Sequence, residues 1–188
     1  WRPSELEAEL VKVVEAHAAW NATHRVAVVR NRGGAFEGAG ITRDVDLIAF
    51  TTDLKDWGES ALLGVAPRAR YAASEFAGVK ITSWSQNLVM YERAHEAGFD
   101  ELVLLNERDE VSECTSANIF ILKGGRAYTP PLSSGCLPGV TRELLLSEIR
   151  VPGLVVSEKN LLIEDLEAAG ADVIVDDVGY FEEPFFQE

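Results

Sequence analysis

GVKITSWSQN (78–87), NERDEVSECTSANIFILKGGRAYTPPL (106–132) and SSGCLPGVTRELLL (133–146) are the three runs whose joint reading decides the fold of this chain. In the first, Lys80 stands alone in a short apolar strand, with Gly78 and Val79 before it and Ile81 after it. In the second, Glu113 follows 33 residues later (113 − 80), between a turn and an apolar strand that begins near Asn118. In the third, Gly139 opens a helix whose first residues are Val140 and Thr141. A packed, partly desolvated lysine is a nucleophile toward an aldehyde and supplies a Schiff-base amine. A carboxylate held against a protonated ring nitrogen makes that ring an electron sink. Unpaired N–H groups at a helix start, after a glycine that lets the backbone approach closely, hold a phosphate. Each part also has a plain reading: a surface lysine, a solvated strand-edge carboxylate, a helix start capped by Thr141. Their order and spacing favour the chemical one.

Outward from these runs, a coarse pattern of elements emerges. Ser4 and an acidic first turn begin a helix whose apolar positions Leu6, Leu10, Val13 and Val14 recur at helical spacing. RVAVVRNRGG (25–34) and DLIAFTTDL (46–54) read as strands. The run 54–62 mixes charge and glycine with no period, and a domain boundary is placed there, giving domains 1–56 and 57–188. GVAPRARYAAS (64–74) reads as an edge or connecting strand, because Pro67 lacks a ladder donor. Residues 83–95 form a helix ending at Gly98, and ELVLLN (101–106) a strand. NIFILKGGRAYTP (118–130) is a hairpin turning on Gly124 and Gly125. Residues 141–149 form a helix, and 154–170 a strand and then a helix. DVIVDDV (172–178) is a last strand, and the tail from 182 has no period. Strands and helices mix without strict alternation, so the fold class is α+β.

Composition narrows the function. The chain of 188 residues has 31 acidic and 17 basic side chains, a formal charge of −14, which argues against a nucleic-acid surface. It does not exclude a small anionic ligand held by backbone N–H groups. Two cysteines, Cys114 and Cys136, are too few for a disulfide framework and point to a reducing cytoplasm. The three histidines, His17, His24 and His95, are scattered, so no metal site is expected. No apolar run is long enough to span a bilayer and no secretory signal is present, so no membrane partner is expected. The chain opens at Trp1, directly on a helix start, and further N-terminal residues are expected before it.

Taken together, the three runs resemble the fold-type IV pyridoxal-phosphate enzymes, the class IV aminotransferase family of branched-chain and D-amino-acid aminotransferases and aminodeoxychorismate lyase. The resemblance is specific across residues 78–142, weaker across 1–77, and fades after about residue 170. It implies part of a small N-terminal α/β domain followed by a barrel-like domain that carries pyridoxal 5'-phosphate. By the same resemblance Lys80 is the catalytic lysine bonded to the cofactor, and Glu113 pairs with its pyridine nitrogen. Gly139, Val140 and Thr141 hold its phosphate, and Asn118 orients the site by hydrogen bonds. The implied activity is amino transfer between an amino acid, branched-chain type favoured, and a 2-oxo acid. The alternatives are the pyruvate-releasing elimination of aminodeoxychorismate lyase and a non-catalytic homologue that binds no cofactor. Dimers of the family imply a homodimer.

Three positions depart from the family pattern. Relatives carry an arginine that grips the phosphate in further N-terminal sequence, a stretch that would lie before Trp1. Trp84 stands where many relatives carry a tyrosine, and an indole has no hydroxyl to offer. Asp176 and Asp177 fall near the place of Ser/Thr residues that contact the phosphate, where two carboxylates would repel it.

Overall fold

In the computed structural model, residues 2–32, 42–54, 58, 60–169 and 173–177 are described, the last five by their backbone alone. The chain divides into two compact units, Trp1–Trp57 and Gly58–Glu188.

In the first unit, α1 spans Pro3–His17. Proline at the first helical position presets the backbone dihedral, and Glu5 closes a box on Arg2 through both its backbone N–H (3.0 Å) and its guanidinium. The helix ends where Ala18 turns left-handed at φ 49°. Strands β1 (Thr23–Arg30) and β2 (Val45–Thr52) pair antiparallel in register from Thr23 opposite Thr52 to Arg30 opposite Val45. α1 packs on β2, yet none of its residues is fully buried.

The second unit holds the core. β3 (Leu63–Ala66), β4 (Glu101–Leu105) and β5 (Val111–Cys114) form one sheet, with β3 parallel and β5 antiparallel to the central β4. β3 is the edge strand expected from Pro67, which lies just beyond it in a turn. β6 (Ala117–Lys123), β7 (Arg126–Thr129), β8 (Val155–Glu158) and β9 (Val173–Asp177) form a second sheet in the order β8-β7-β6-β9. The β6–β7 hairpin turns on Gly124 and Gly125 at φ 59° and 75°, the left-handed pair that a type I′ turn requires. Around the sheets lie α2 (Ser85–Glu96), α3 (Val140–Ser147) and α4 (Ile163–Ala169). The core gathers Val103, Leu105, Val111, Ile119 and Ile121 from β4, β5 and β6 with Leu161 and Leu166. Each fully buried aliphatic side chain of this kind contributes about 1.5–3 kcal/mol.

Three expectations change. Glu113, expected between a turn and an apolar strand, lies in a strand of its own, β5, because the chain breaks pairing at Thr115 and Ser116 and passes from one sheet to the other. Among the described residues the strands form separate sheets with edges, so no closed barrel is present. Lys80 lies in the loop between β3 and α2, outside any strand, and is exposed, as are Val79 and Ile81 beside it. A two-residue apolar flank is too short to bury a lysine once the chain turns at Gly78 (φ 71°). The tail from 178 lies outside the described residues.

Candidate active site

The loop 132–139 takes its shape from two glycines. Pro131 leads into a short 3-10 turn, Leu132–Ser134, which ends at Gly135 in the left-handed region, φ 91°. A side chain there would place its Cβ 3.0 Å from the Ala72 Cα, so only glycine allows the loops 70–80 and 132–139 to touch. Gly78 repeats the device: at φ 71° its Cβ would stand 3.3 Å from the Cys136 carbonyl. The two loops thereby bound a cleft of about 230 Å³ lined by Gly78, Lys80, Leu137, Pro138, Gly139 and Val140. A larger groove of about 610 Å³ between β3 and α2 is open; Ser85 and Gln86 of the first run line it, but neither Lys80 nor Glu113, Asn118, Gly139, Val140 or Thr141 does.

At the far side of the cleft α3 begins. Gly139 is its N-cap in extended conformation, with no side-chain cap bond. The first bond closed within the helix is Glu143 N–H to the Gly139 carbonyl at 2.9 Å, so the N–H groups of Val140 and Thr141 precede it. Thr141 is therefore within the first turn and is not the cap. The uncapped start carries the positive end of the helix dipole.

Glu113 reaches this loop from β5, opposite Leu104. Its carboxyl is buried, with 8% of the side chain exposed. One oxygen accepts from Arg70 Nε at 3.0 Å and Nη2 at 2.6 Å, the other from the Leu137 N–H at 2.8 Å. Burial raises the carboxyl above the ordinary carboxylate range, against the opposing pull of the Arg70 charge, the Leu137 amide and the Lys80 charge. Asn118, also buried, donates from Nδ2 to the Leu137 carbonyl at 3.0 Å. Both ends of Leu137, in the turn that leads into α3, are thus held, its N–H by Glu113 and its carbonyl by Asn118. Asn118 Oδ1 is buried without a hydrogen-bond partner.

Behind Glu113 stands a second layer. Asn87, on the first turn of α2, accepts from Arg70 Nη1 at 3.0 Å and donates to the Thr115 carbonyl at 2.6 Å. Glu101 is fully buried at the start of β4 and accepts from the N–H groups of Leu102, Thr115 and Ser116 and from the Ser116 hydroxyl, at 2.7–3.1 Å. The Thr115 hydroxyl also donates to it. That carboxylate clamps the two-residue break between β5 and β6, and so fixes Glu113 and Asn118 on either side.

The structure brings Lys80, Glu113, Asn118, Gly139, Val140 and Thr141 to one region of the second unit. Sequence reasoning did not find Arg70, Asn87, Glu101 or the Leu137 peptide. The arginine pair Arg68 and Arg70, ten residues before Lys80 (80 − 70), was the one available signal. Trp84 is the N-cap residue of α2 and is partly exposed. The backbone of Asp176 pairs with Asn118, and that of Asp177 with Ala117, on the edge strand β9.

A family model described as amino-transferase class IV matches residues 1–174. Branched-chain-amino-acid transaminase 1 of Bacillus subtilis is 36% identical over 91 residues, which cover 47% of this chain and 26% of that protein. A branched-chain aminotransferase structure from Thermoproteus uzoniensis superposes with TM-score 0.81 at 23% identity, covering 95% of this chain and 61% of the other. A Legionella pneumophila structure described as a candidate 4-amino-4-deoxychorismate lyase gives TM-score 0.78 at 23% identity, covering 91% and 63%. An aminotransferase from Brucella abortus, solved with the cofactor PLP, gives 0.74 at 21%, covering 92% and 66%. At these identities the structural likenesses show the fold. The chain spans less than two thirds of the length of each of these proteins.

Proposed function

Since the chain belongs to the class IV aminotransferase family, whose members use pyridoxal phosphate, we propose that it moves an amino group between a branched-chain-type amino acid and a 2-oxo acid. The observation that carries the proposal is the convergence on the Leu137–Val140 turn. Lys80 lines the cleft, the uncapped α3 start closes it, and Glu113 and Asn118 grip the Leu137 peptide.

These residues fit the cofactor. The close approach of the loops at Gly78 and Gly135, the first-turn N–H groups of Val140 and Thr141 after the uncapped Gly139, and a buried carboxyl on β5 match a phosphate at one end and a ring nitrogen at the other. When bound, the cofactor supplies an electron sink for the substrate Cα. Lys80 Nζ would hold the cofactor, and would take and return the substrate Cα proton as the general base and acid. Glu113 would face the cofactor's ring nitrogen and keep it protonated. Arg70 and the Leu137 N–H keep that carboxyl oriented, and Asn118 keeps the turn in place. The substrate and a homodimeric assembly belong to the proposal, with the family as their support.

The likeness to the Legionella structure favours a second reading, elimination of pyruvate from aminodeoxychorismate. Both readings are tested by one series. The full chain is mixed with pyridoxal phosphate and its visible band recorded, then amino transfer from leucine to 2-oxoglutarate and pyruvate release from aminodeoxychorismate are assayed. The expected result is a visible band lost in Lys80→Ala, with amino transfer exceeding pyruvate release. Pyruvate release alone selects the lyase, and no band in the parent selects the non-catalytic homologue.

A further inference from the structure

We propose that Asn87 is a positioning residue, whose carboxamide locks the Arg70 guanidinium on Glu113 and ties that pair to the turn between β5 and β6. The inference rests on the assignment of Glu113 to the cofactor's ring nitrogen, and adds a residue to that site.

The Arg70 fork is planar, and two of its nitrogens, Nε and Nη2, share a single Glu113 oxygen. Contacts to one acceptor atom leave the fork free to pivot about it. The third nitrogen, Nη1, is what fixes the pivot, and its partner is Asn87 Oδ1 at 3.0 Å. Asn87 is itself immobilised, because its Nδ2 donates to the Thr115 carbonyl at 2.6 Å and the residue is 6% exposed. The polarity matters. A carboxamide offers one acceptor and one donor group at matched reach, which Arg70 and a carbonyl require. A carboxylate there would compete with Glu113 for Arg70 and could not donate to Thr115. An aliphatic side chain would leave Arg70 Nη1 and the Thr115 carbonyl unpaired.

The consequence reaches the chemistry through geometry. Thr115 is next to Cys114, which follows Glu113 on β5, and is clamped from its other side by Glu101. Asn87 lies on the first turn of α2, seven residues after Lys80 (87 − 80). Its amide therefore links the helix that follows the lysine loop to the strand that carries the carboxyl. With it in place, the Glu113 oxygen that accepts from Leu137 is held toward the Leu137–Val140 turn.

The test has two arms. In the cofactor-free full chain, the Arg70 Nε–H is followed by NMR, assigned by its loss in Arg70→Lys. The parent should show a slowly exchanging signal, and Asn87→Ala should broaden it or speed its exchange with water. In the loaded protein, turnover of leucine with 2-oxoglutarate is measured for Asn87→Ala, Glu113→Gln and the double variant. Asn87→Ala should lower kcat roughly tenfold or more, the scale of one lost hydrogen bond to a charged group, with little change in KM. Most of that loss should vanish when Glu113 is already glutamine. Asn87→Ser, too short to reach both partners, should behave alike and replaces the alanine variant if circular dichroism shows that one unfolded. An unchanged Arg70 signal, or losses that simply add in the double variant, would overturn the proposal. Absence of a visible band in the parent would instead overturn the cofactor reading, and the NMR arm then decides Asn87 alone.

Discussion

At Glu113, burial and pairing act on one carboxyl in opposite directions. Burial raises it, while Arg70, the Leu137 N–H and Lys80 pull it down, and burial prevails. The folded chain therefore holds this proton more tightly than the unfolded chain does. Stability from this group is complete below the unfolded carboxylate value and is lost as pH rises through the folded one. Glu113→Gln should flatten that part of the pH–stability curve in the cofactor-free protein, which denaturant titrations across pH 4–8 would check (pH span chosen around the ordinary carboxylate value of about 4.3). A steeper dependence in the variant would show that another group sets it. In the loaded protein the same change should spare cofactor binding and lower turnover by on the order of 10²-fold, the scale of a positioned proton partner. That Lys80 and Glu113 come to one region was legible because each residue type has few reasons to occupy its place in an ordered motif. Arg70 and Asn87 were not, since their partners lie 43, 17 and 28 residues away and nothing in the local pattern marks such pairings.

Elements carry the site by their ends and breaks more than by their lengths. The helices and strands were readable from period and turn residues, as Gly124-Gly125 and the Gly98 stop illustrate. The break at Thr115-Ser116 was hidden, because its cause is Glu101, a carboxylate 14 residues upstream that accepts from both residues. Lys80 was misread for the opposite reason: Val79 and Ile81 look like a strand, but the chain is committed to a loop by the left-handed Gly78. Glu101→Ala should orphan the buried donors of Thr115, each costing about 1–3 kcal/mol, and the half-buried donors of Ser116 at less cost, and so destabilise the second unit by a few kcal/mol in a urea melt. Glu101→Gln keeps acceptor capacity and should cost less. Equal stability of the parent and the alanine variant would show that water replaces the clamp. The β4–β5 turn behaves differently with pH. Its Glu110 carboxyl is lowered by hydrogen bonds from Arg108 and then Asn106, so its contribution is present above the ordinary carboxylate value and is lost as pH falls through the lowered one. Hydrogen-exchange protection factors of the turn amides, corrected for the intrinsic pH dependence of exchange, should fall on acidification, and Arg108→Ala should move that onset to higher pH.

Over the whole molecule, the formal charge of −14 sets a long-range field that opposes the site's local one. The phosphate of the cofactor carries a charge of about −1.5 to −2 near neutral pH. At 0.01 M salt the screening length is about 30 Å, so an approaching anion feels most of the chain's acidic surface. At 0.15 M it is about 8 Å, and the nearby Lys80 charge and the uncapped α3 start dominate instead. The association rate of pyridoxal phosphate should therefore rise with salt over this range, by up to roughly tenfold, opposite in sign to the usual attractive steering. Above about 1 M, where screening reaches about 3 Å, the local attraction is also lost and affinity should fall. Asp176 and Asp177 enter through the backbone pairing of β9 beside Asn118 and Ala117. If their charges act on the phosphate, Asp176→Ser with Asp177→Thr should tighten binding at low salt by about tenfold, and flatten the salt dependence, since relief of about 1.4 kcal/mol is one decade. Stopped-flow binding of pyridoxal phosphate to the parent and the double variant at three salt concentrations measures both effects. A parent rate that falls as salt rises would show that the local field already wins at long range, and identical curves would assign the repulsion to the rest of the acidic surface.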